Sequence, residues 1–166
     1  SNLLKGGEVA GIVLSTFEGL EEILAPLIDD GYPMVMLDES PASSCSVLLD
    51  HWAGVRIAAE HIASLERYPV ACICFGPANP YIDKRLQRFC DTIEQRTGRA
   101  VEQRYIRYGQ FEPESGYVAM KSLLEETPRP AVVFGMNDMM ALGAIRAILD
   151  AGLTIPDEIA VVGYDD

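Results

Sequence analysis

The chain has 166 residues, 49% apolar and 23% charged, with 13 Lys and Arg against 25 Asp and Glu for a net charge of −12. That composition suits one ordinary domain or two small lobes with a packed core, and it excludes wholesale disorder. So acidic a chain is a poor non-specific binder of phosphate backbones or anionic membranes, and no apolar run approaches the ~18–20 residues of a membrane span.

The elements alternate along the chain. Val9–Ser15 is a short apolar run, the pattern of a strand covered on both faces. Leu20, Ile23, Leu24, Leu27 and Ile28 follow at helical spacing, and Gly31 stands where a helix C-cap belongs. Pro33–Asp38 is the next strand, Pro41–Ser44 a polar connector, and Ser46–Leu49 is extended again. Val55, Ala58, Ala59, Ile62 and Leu65 form a second helical stripe. Val70–Phe75 reads as a buried strand, and Gly76–Pro80 as a loop rich in breakers. Leu86, Phe89, Cys90 and Ile93 form the next stripe, ended by Gly98, and Val101–Tyr108 alternates roughly as a strand. Pro113 suits the first turn of a helix with Tyr117, Met120 and Leu124 on its inner face. Ala131–Phe134 is a strand, Asp138–Asp150 an apolar helix stopped at Gly152, and Ile159–Gly163 a final strand.

Strands that alternate with helices predict an α/β fold of parallel sheets flanked by helices. The composition break at Pro41–Asp50 predicts a hinge between two lobes. Ligands of such sheets sit at the carboxyl ends of the strands. That rule selects Ser15–Phe17, Asp38–Glu39, Gly76–Tyr81, Gly109–Phe111, Gly135–Asn137 and Tyr164–Asp166.

Charge is uneven. Residues 1–50 hold nine acids and one base, residues 51–112 seven acids and nine bases, and residues 113–166 nine acids and three bases. The middle third is where an anionic or polyhydroxyl ligand finds cationic donors. The cysteines, Cys45, Cys72, Cys74 and Cys90, form no C-x-x-C pair. With His51 and His61 as the only histidines, no zinc site is expected. Cys72 and Cys74 are expected on one face of their strand as small apolar residues, and the set is compatible with a reducing cytoplasm.

No G-x-G-x-x-G, G-K-[ST] or G-x-S-x-G occurs, so neither a nucleotide phosphate loop nor a Ser–His hydrolase is expected. The pair Asp165–Asp166 after an apolar strand reads as a strand-end turn or a cleft-lining group. Arg85 is expected in the first turn of its helix, where it opposes the macrodipole and gains from a carboxylate, phosphate or ligand hydroxyl. The other reading is a solvated arginine in the basic stretch Lys84, Arg85, Arg88. Phe111 either staples the following helix or stacks on a flat ligand face. Asn137 or Asp138 caps the next helix, and Asn137 has an amide to present to a ligand. Trp52 reads equally as core or cleft wall.

The run AVVFGMNDMMALGAIRAILDAGLTIPDEIAVVGYDD (Ala131–Asp166) resembles the lactose/galactose repressor family of bacterial transcription regulators. Gly31–Glu39 (GYPMVMLDE) is similar to that family's G-x-P-V-V-x-x-D strand, and Asp50, Gly54, Ala58 and His61-Ile62 fit its D-x-x-x-G-x-x-x-A-x-x-H-[LI] helix. The resemblance covers essentially the whole chain. It implies two α/β lobes around a cleft, as in periplasmic sugar-binding proteins: residues 1–49 part of the first lobe, residues 50–166 the second, and a DNA-binding domain outside the chain. Arg85-Leu86-Gln87-Arg88-Phe89 matches the family's R-x-x-G-F, with Arg88 in place of glycine. The resemblance puts Arg85 on the effector-gripping arginine, Phe111 on the stacking aromatic, and Asn137 and Asp165 on polar cleft positions; Tyr81 joins them by loop position.

The function implied is effector sensing by a cytoplasmic, homodimeric regulator, without catalysis, cofactor, metal or membrane. A sugar, sugar phosphate, nucleoside or purine would close the cleft, and closure would reach operator DNA through heads outside this chain. The alternative is a periplasmic solute-binding protein of a transporter. With strands of the first lobe missing, residues 51–164 are expected to fold well, and residues 1–49 to expose apolar surface and pair with something, another copy being one partner.

Overall fold

The structure, a computed structural model, describes residues 9–15, 21–38, 45–76 and 80–165, with backbone alone at residues 21, 23 and 80–83. The chain divides into two compact units, residues 1–50 and 51–166, each with its own parallel sheet.

In the first unit β1 (Ile12–Ser15), α1 (Glu21–Asp29), β2 (Met34–Leu37) and β3 (Cys45–Val47) follow one another, with sheet order β1-β2-β3. Leu24 of α1 and Met36 of β2 are its buried centre. Val13, Val35 and Cys45 pair across the three strands, as do Leu37 and Val47 one step on. Cross-strand partners share a face. That face is open: Val13 is 66% exposed and Val47 58%. The expectation of a first strand covered on both faces is thereby corrected. Its residues alternate between half-buried and exposed, because among the described residues no element covers the apolar side chains on one face of this sheet.

The second unit runs α2 (His51–Ser64), β4 (Val70–Phe75), α3 (Pro80–Thr97), a 3-10 turn (Gln103–Tyr105), β5 (Ile106–Gly109), α4 (Pro113–Leu124), β6 (Val132–Gly135), α5 (Asp138–Asp150) and β7 (Ala160–Val162). The sheet order is β5-β4-β6-β7, all parallel. The chain steps one way from β4 to β5 and the other way from β5 through β6 to β7. Right-handed crossovers therefore place α3 on one face and α4 and α5 on the other. The packing agrees: α2 pairs with α3, and α4 with α5.

All six residues of β4 are buried, as its unbroken apolar run requires. Phe89 of α3 stacks on Phe134 of β6 with centroids 4.8 Å apart. Cys72 and Cys74 are buried as expected, and Cys74 Sγ donates to the Arg107 carbonyl at 3.4 Å. Burial pushes the Cys72 thiol well above its ordinary range and that of Cys90 to about 11, so both behave as small apolar residues.

Three boundaries differ from the sequence reading. First, α3 begins at Pro80, so Arg85 lies in its second turn rather than its first. Proline is well tolerated at a helix start, and the dipole argument fades beyond the first turn. Second, the stretch read as a strand from Val101 opens as the 3-10 turn, where the buried Tyr105 donates its hydroxyl to the Pro128 carbonyl at 2.8 Å. Third, the buried face of α4 is Gly116, Ala119, Met120 and Leu123. The shift from Tyr117 and Leu124 follows from a close helix crossing. A Cβ on Gly116 would strike the Met140 backbone, and one on Gly143 the Pro113 carbonyl, so only glycines let α4 and α5 approach this far.

Candidate ligand-binding site

The four carboxyl ends of β4 to β7 form one edge of the second sheet. Neighbouring strands lie about 4.8 Å apart, so residues following them gather within a strip about 14 Å wide.

Asn137 follows β6 and is the N-cap of α5: its Oδ1 accepts the Met140 backbone N–H at 2.7 Å. Its backbone is extended and the residue is 3% exposed. Of the two cap candidates, Asn137 takes the role. Capping engages the carbonyl half of the side chain.

Asp165 lies beyond β7 with φ 133°, a conformation that L-residues rarely hold outside functional or otherwise over-determined sites. The backbone N–H of Asp138 at the start of α5 favours its charged form. Burial and the neighbouring Asp138 carboxylate nevertheless raise its pKa above the ordinary carboxylate value, and the Arg85 and His51 charges oppose that rise. Gly163 makes room for the arrangement, since a Cβ there would overlap the Asp138 carboxylate.

Arg85 is half-buried on α3, and its Nε–H is fully buried without a hydrogen-bond partner. Among the described residues it forms no ion pair; its guanidinium stands 6.0 Å from the centroid of the Tyr164 ring. A buried N–H left unpaired costs about 1–3 kcal/mol, which an incoming oxygen acceptor recovers.

Phe111 follows β5 by two residues and is 64% exposed. Its ring rests on Phe75, the last residue of β4, with centroids 4.1 Å apart and planes tilted by 31°. It therefore presents a ring at the strand ends instead of stapling α4.

The structure thus brings Arg85 and Asp165 into electrostatic reach, with Asn137 beside Asp138, whose N–H favours the Asp165 carboxylate. Phe111 belongs to the β4–β5 side of the strip. The Tyr81 side chain and Asp166 lie outside the described residues; the Tyr81 backbone falls in the first turn of α3.

Sequence reasoning placed Tyr164 at the ligand edge without giving it a role, and it missed Phe75 and His51. Tyr164 sits between Gly163 and Asp165 at a strand end, and Phe75 closes a buried strand. Position at the carboxyl edge was the available signal for both. Among the described residues no three His, Cys, Asp or Glu side chains are grouped to hold a metal ion, and no helix is long and apolar enough to cross a membrane.

A family model described as a periplasmic binding protein-like domain matches residues 59–166. The HTH-type transcriptional repressor PurR of Haemophilus influenzae (strain PittEE) is 33% identical over 135 residues, 81% of this chain and 40% of its own length. A regulatory protein of the LacI family from Chloroflexus aggregans superposes with a TM-score of 0.85 at 28% identity, over 99% of this chain and 60% of its own. A LacI family transcriptional regulator from Lactobacillus casei with bound sucrose gives 0.82 at 26% identity, over 99% and 62%. The chain thus spans 40% of the length of the first of these relatives, a repressor rather than an enzyme. A family match reaching from α2 to the last residue makes this chain a member of the periplasmic binding protein-like family, and over nearly its whole length it is similar in structure to LacI-family regulators.

Proposed function

We propose that the carboxyl edge of the β4–β7 sheet binds a small molecule, a sugar, sugar phosphate, nucleoside or purine, and that its occupancy is transmitted to DNA-binding heads in the intact protein. The observation that carries this reading is the buried, unpartnered Nε–H of Arg85 beside an aromatic ring and a carboxylate. Arg85 donates paired hydrogen bonds to the ligand, Phe111 stacks on its flat face, and Asn137 and Asp165 fix its hydroxyls or ring nitrogens. Tyr81 joins them by position. In this reading residues 1–49 are part of one lobe and residues 50–166 the other.

The site performs recognition rather than catalysis, and needs no cofactor or metal. Among the described residues no serine, threonine or cysteine at the strand ends is hydrogen-bonded to a base, and the His51 ring is engaged with Tyr164. The repressor name of the H. influenzae relative and the sucrose in the L. casei neighbour support sensing by a cytoplasmic regulator over solute capture for a transporter. A homodimer is part of the proposal. Met139, Leu142 and Leu149 stand 44%, 55% and 56% exposed along one side of α5, around the exposed Arg146, a mixed apolar and charged surface suited to a second copy.

The test is thermal-shift screening of sugars, sugar phosphates, nucleosides and purines against the intact protein and its Arg85→Ala variant. A ligand is expected to raise the wild-type Tm by several degrees, as binding at 100 Kd adds about 2.7 kcal/mol. Arg85→Ala is expected to abolish that shift while moving the unliganded Tm little. A ligand shift that survives Arg85→Ala removes Arg85 from the site.

A further inference from the structure

We propose that Tyr164, clasped by His51, is the positioning residue that holds Arg85 for the ligand; this rests on the ligand site assigned above. The Tyr164 ring is fixed on three sides. Its hydroxyl lies 3.2 Å from His51 Nδ1 and 3.5 Å from the His51 carbonyl, at the first residue of α2. The ring meets Phe134 edge-to-face in the core, with centroids 6.4 Å apart and planes at 78°. Below the hydroxyl, Gly54 leaves a notch in α2, for a Cβ there would come within 2.5 Å of the Tyr164 oxygen and 3.0 Å of the ring. The ring also attracts Arg85, whose guanidinium stands 6.0 Å from its centroid.

The chemistry of that choice is specific. An arginine oriented by a carboxylate has its donors occupied and must break an ion pair to take a ligand. A ring attracts the cation through its quadrupole and accepts none of its five N–H donors. Arg85 is therefore oriented while its donors stay available, which accounts for a buried Nε–H with no partner. The same clasp serves Asp165, the next residue after Tyr164, which lies within electrostatic reach of both His51 and Arg85. His51 acts through Tyr164 and is itself a positioning residue.

The test needs no ligand. The Nε–H resonance of Arg85 is followed by 15N NMR in the 166-residue chain, assigned by its loss in Arg85→Lys. Tyr164→Phe keeps the ring and removes the clasp; Tyr164→Leu removes the ring; His51→Ala removes the clasp from the other side. Each is expected to move the Nε–H resonance and speed its hydrogen exchange by about tenfold or more. His51→Asn, whose Oδ1 replaces Nδ1, is expected to restore both. Rescue of this kind separates positioning from general loosening. Tyr164→Phe and His51→Asn change few buried atoms, so the comparison stands even if Tyr164→Leu fails to fold. Wild-type resonance position and exchange in Tyr164→Phe and His51→Ala overturn the proposal. A failed ligand screen overturns the ligand reading alone, because the resonance is measured on the unliganded chain.

Discussion

The Phe111 ring lies on Phe75 with centroids 4.1 Å apart, joining the ends of the neighbouring strands β5 and β4. The two rings have opposite exposures, 64% for Phe111 and 4% for Phe75, and so separate recognition from stability. Phe75→Ala opens the core beneath β4 and is expected to cost about 3–5 kcal/mol. Phe111→Ala is expected to cost under about 1 kcal/mol while weakening ligand binding about tenfold, the equivalent of ~1.4 kcal/mol. Denaturant melts and titration with the ligand that the screen selects check both. Equal stability losses in the two variants would show that Phe111 serves packing alone.

Asn137 has a capping half and an amide half, and substitution divides them. Asn137→Ala is expected to cost about 1 kcal/mol of stability through loss of the bond to Met140 N–H. Asn137→Ser restores the cap and removes the amide donors. Urea unfolding should therefore recover in the serine variant, and ligand affinity should not. Recovery of both would leave Asn137 as a cap only.

Asp165 makes stability depend on pH in a known direction. Its folded pKa is raised, chiefly by burial and then by Asp138. The folded state therefore keeps its proton to higher pH than the unfolded chain. The charge on Asp165 costs stability above the folded pKa; that cost shrinks as pH falls through it and is gone below the ordinary carboxylate value near 3.9. Asp165→Asn keeps an acceptor for the Asp138 N–H. It is expected to raise the Tm slightly at pH 7 and to match wild type once the pH falls below the ordinary carboxylate range. Calorimetry from pH 3 to 8 checks this, and a lower Tm for Asp165→Asn at pH 7 contradicts it.

The order of elements was legible in the sequence because its signals are local. Val70–Phe75 and Asp138–Asp150 stand where their apolar patterns put them, the second stopped by Gly152 at φ 74°. Parallel alternation then pointed to the strand ends, where Arg85, Asn137 and Asp165 are found, and the family resemblance singled out those three with Phe111. Arg85 was placed one turn too early because Pro80 reads equally as a loop residue or a helix start. Exposed apolar surface in residues 1–49 was expected from the family resemblance, but which face of β1–β3 carries it was not legible, because an apolar strand has the same sequence whether or not anything packs on it.

What the sequence determined by itself is the strand–helix alternation, the acidic surface that excludes non-specific DNA binding by these residues, and the edge on which a ligand site belongs. Only the tertiary structure decided how that edge is built. His51 and Tyr164 are 113 residues apart, and the Gly54 notch on the His51 helix, the Arg85 guanidinium and the Phe134 ring meet at the same tyrosine from α2, α3 and β6. Local patterns record which face of an element is apolar, because burial repeats with the period of the backbone. A single contact between distant elements has no period, so it leaves no trace until the sheet and its helices bring the residues together.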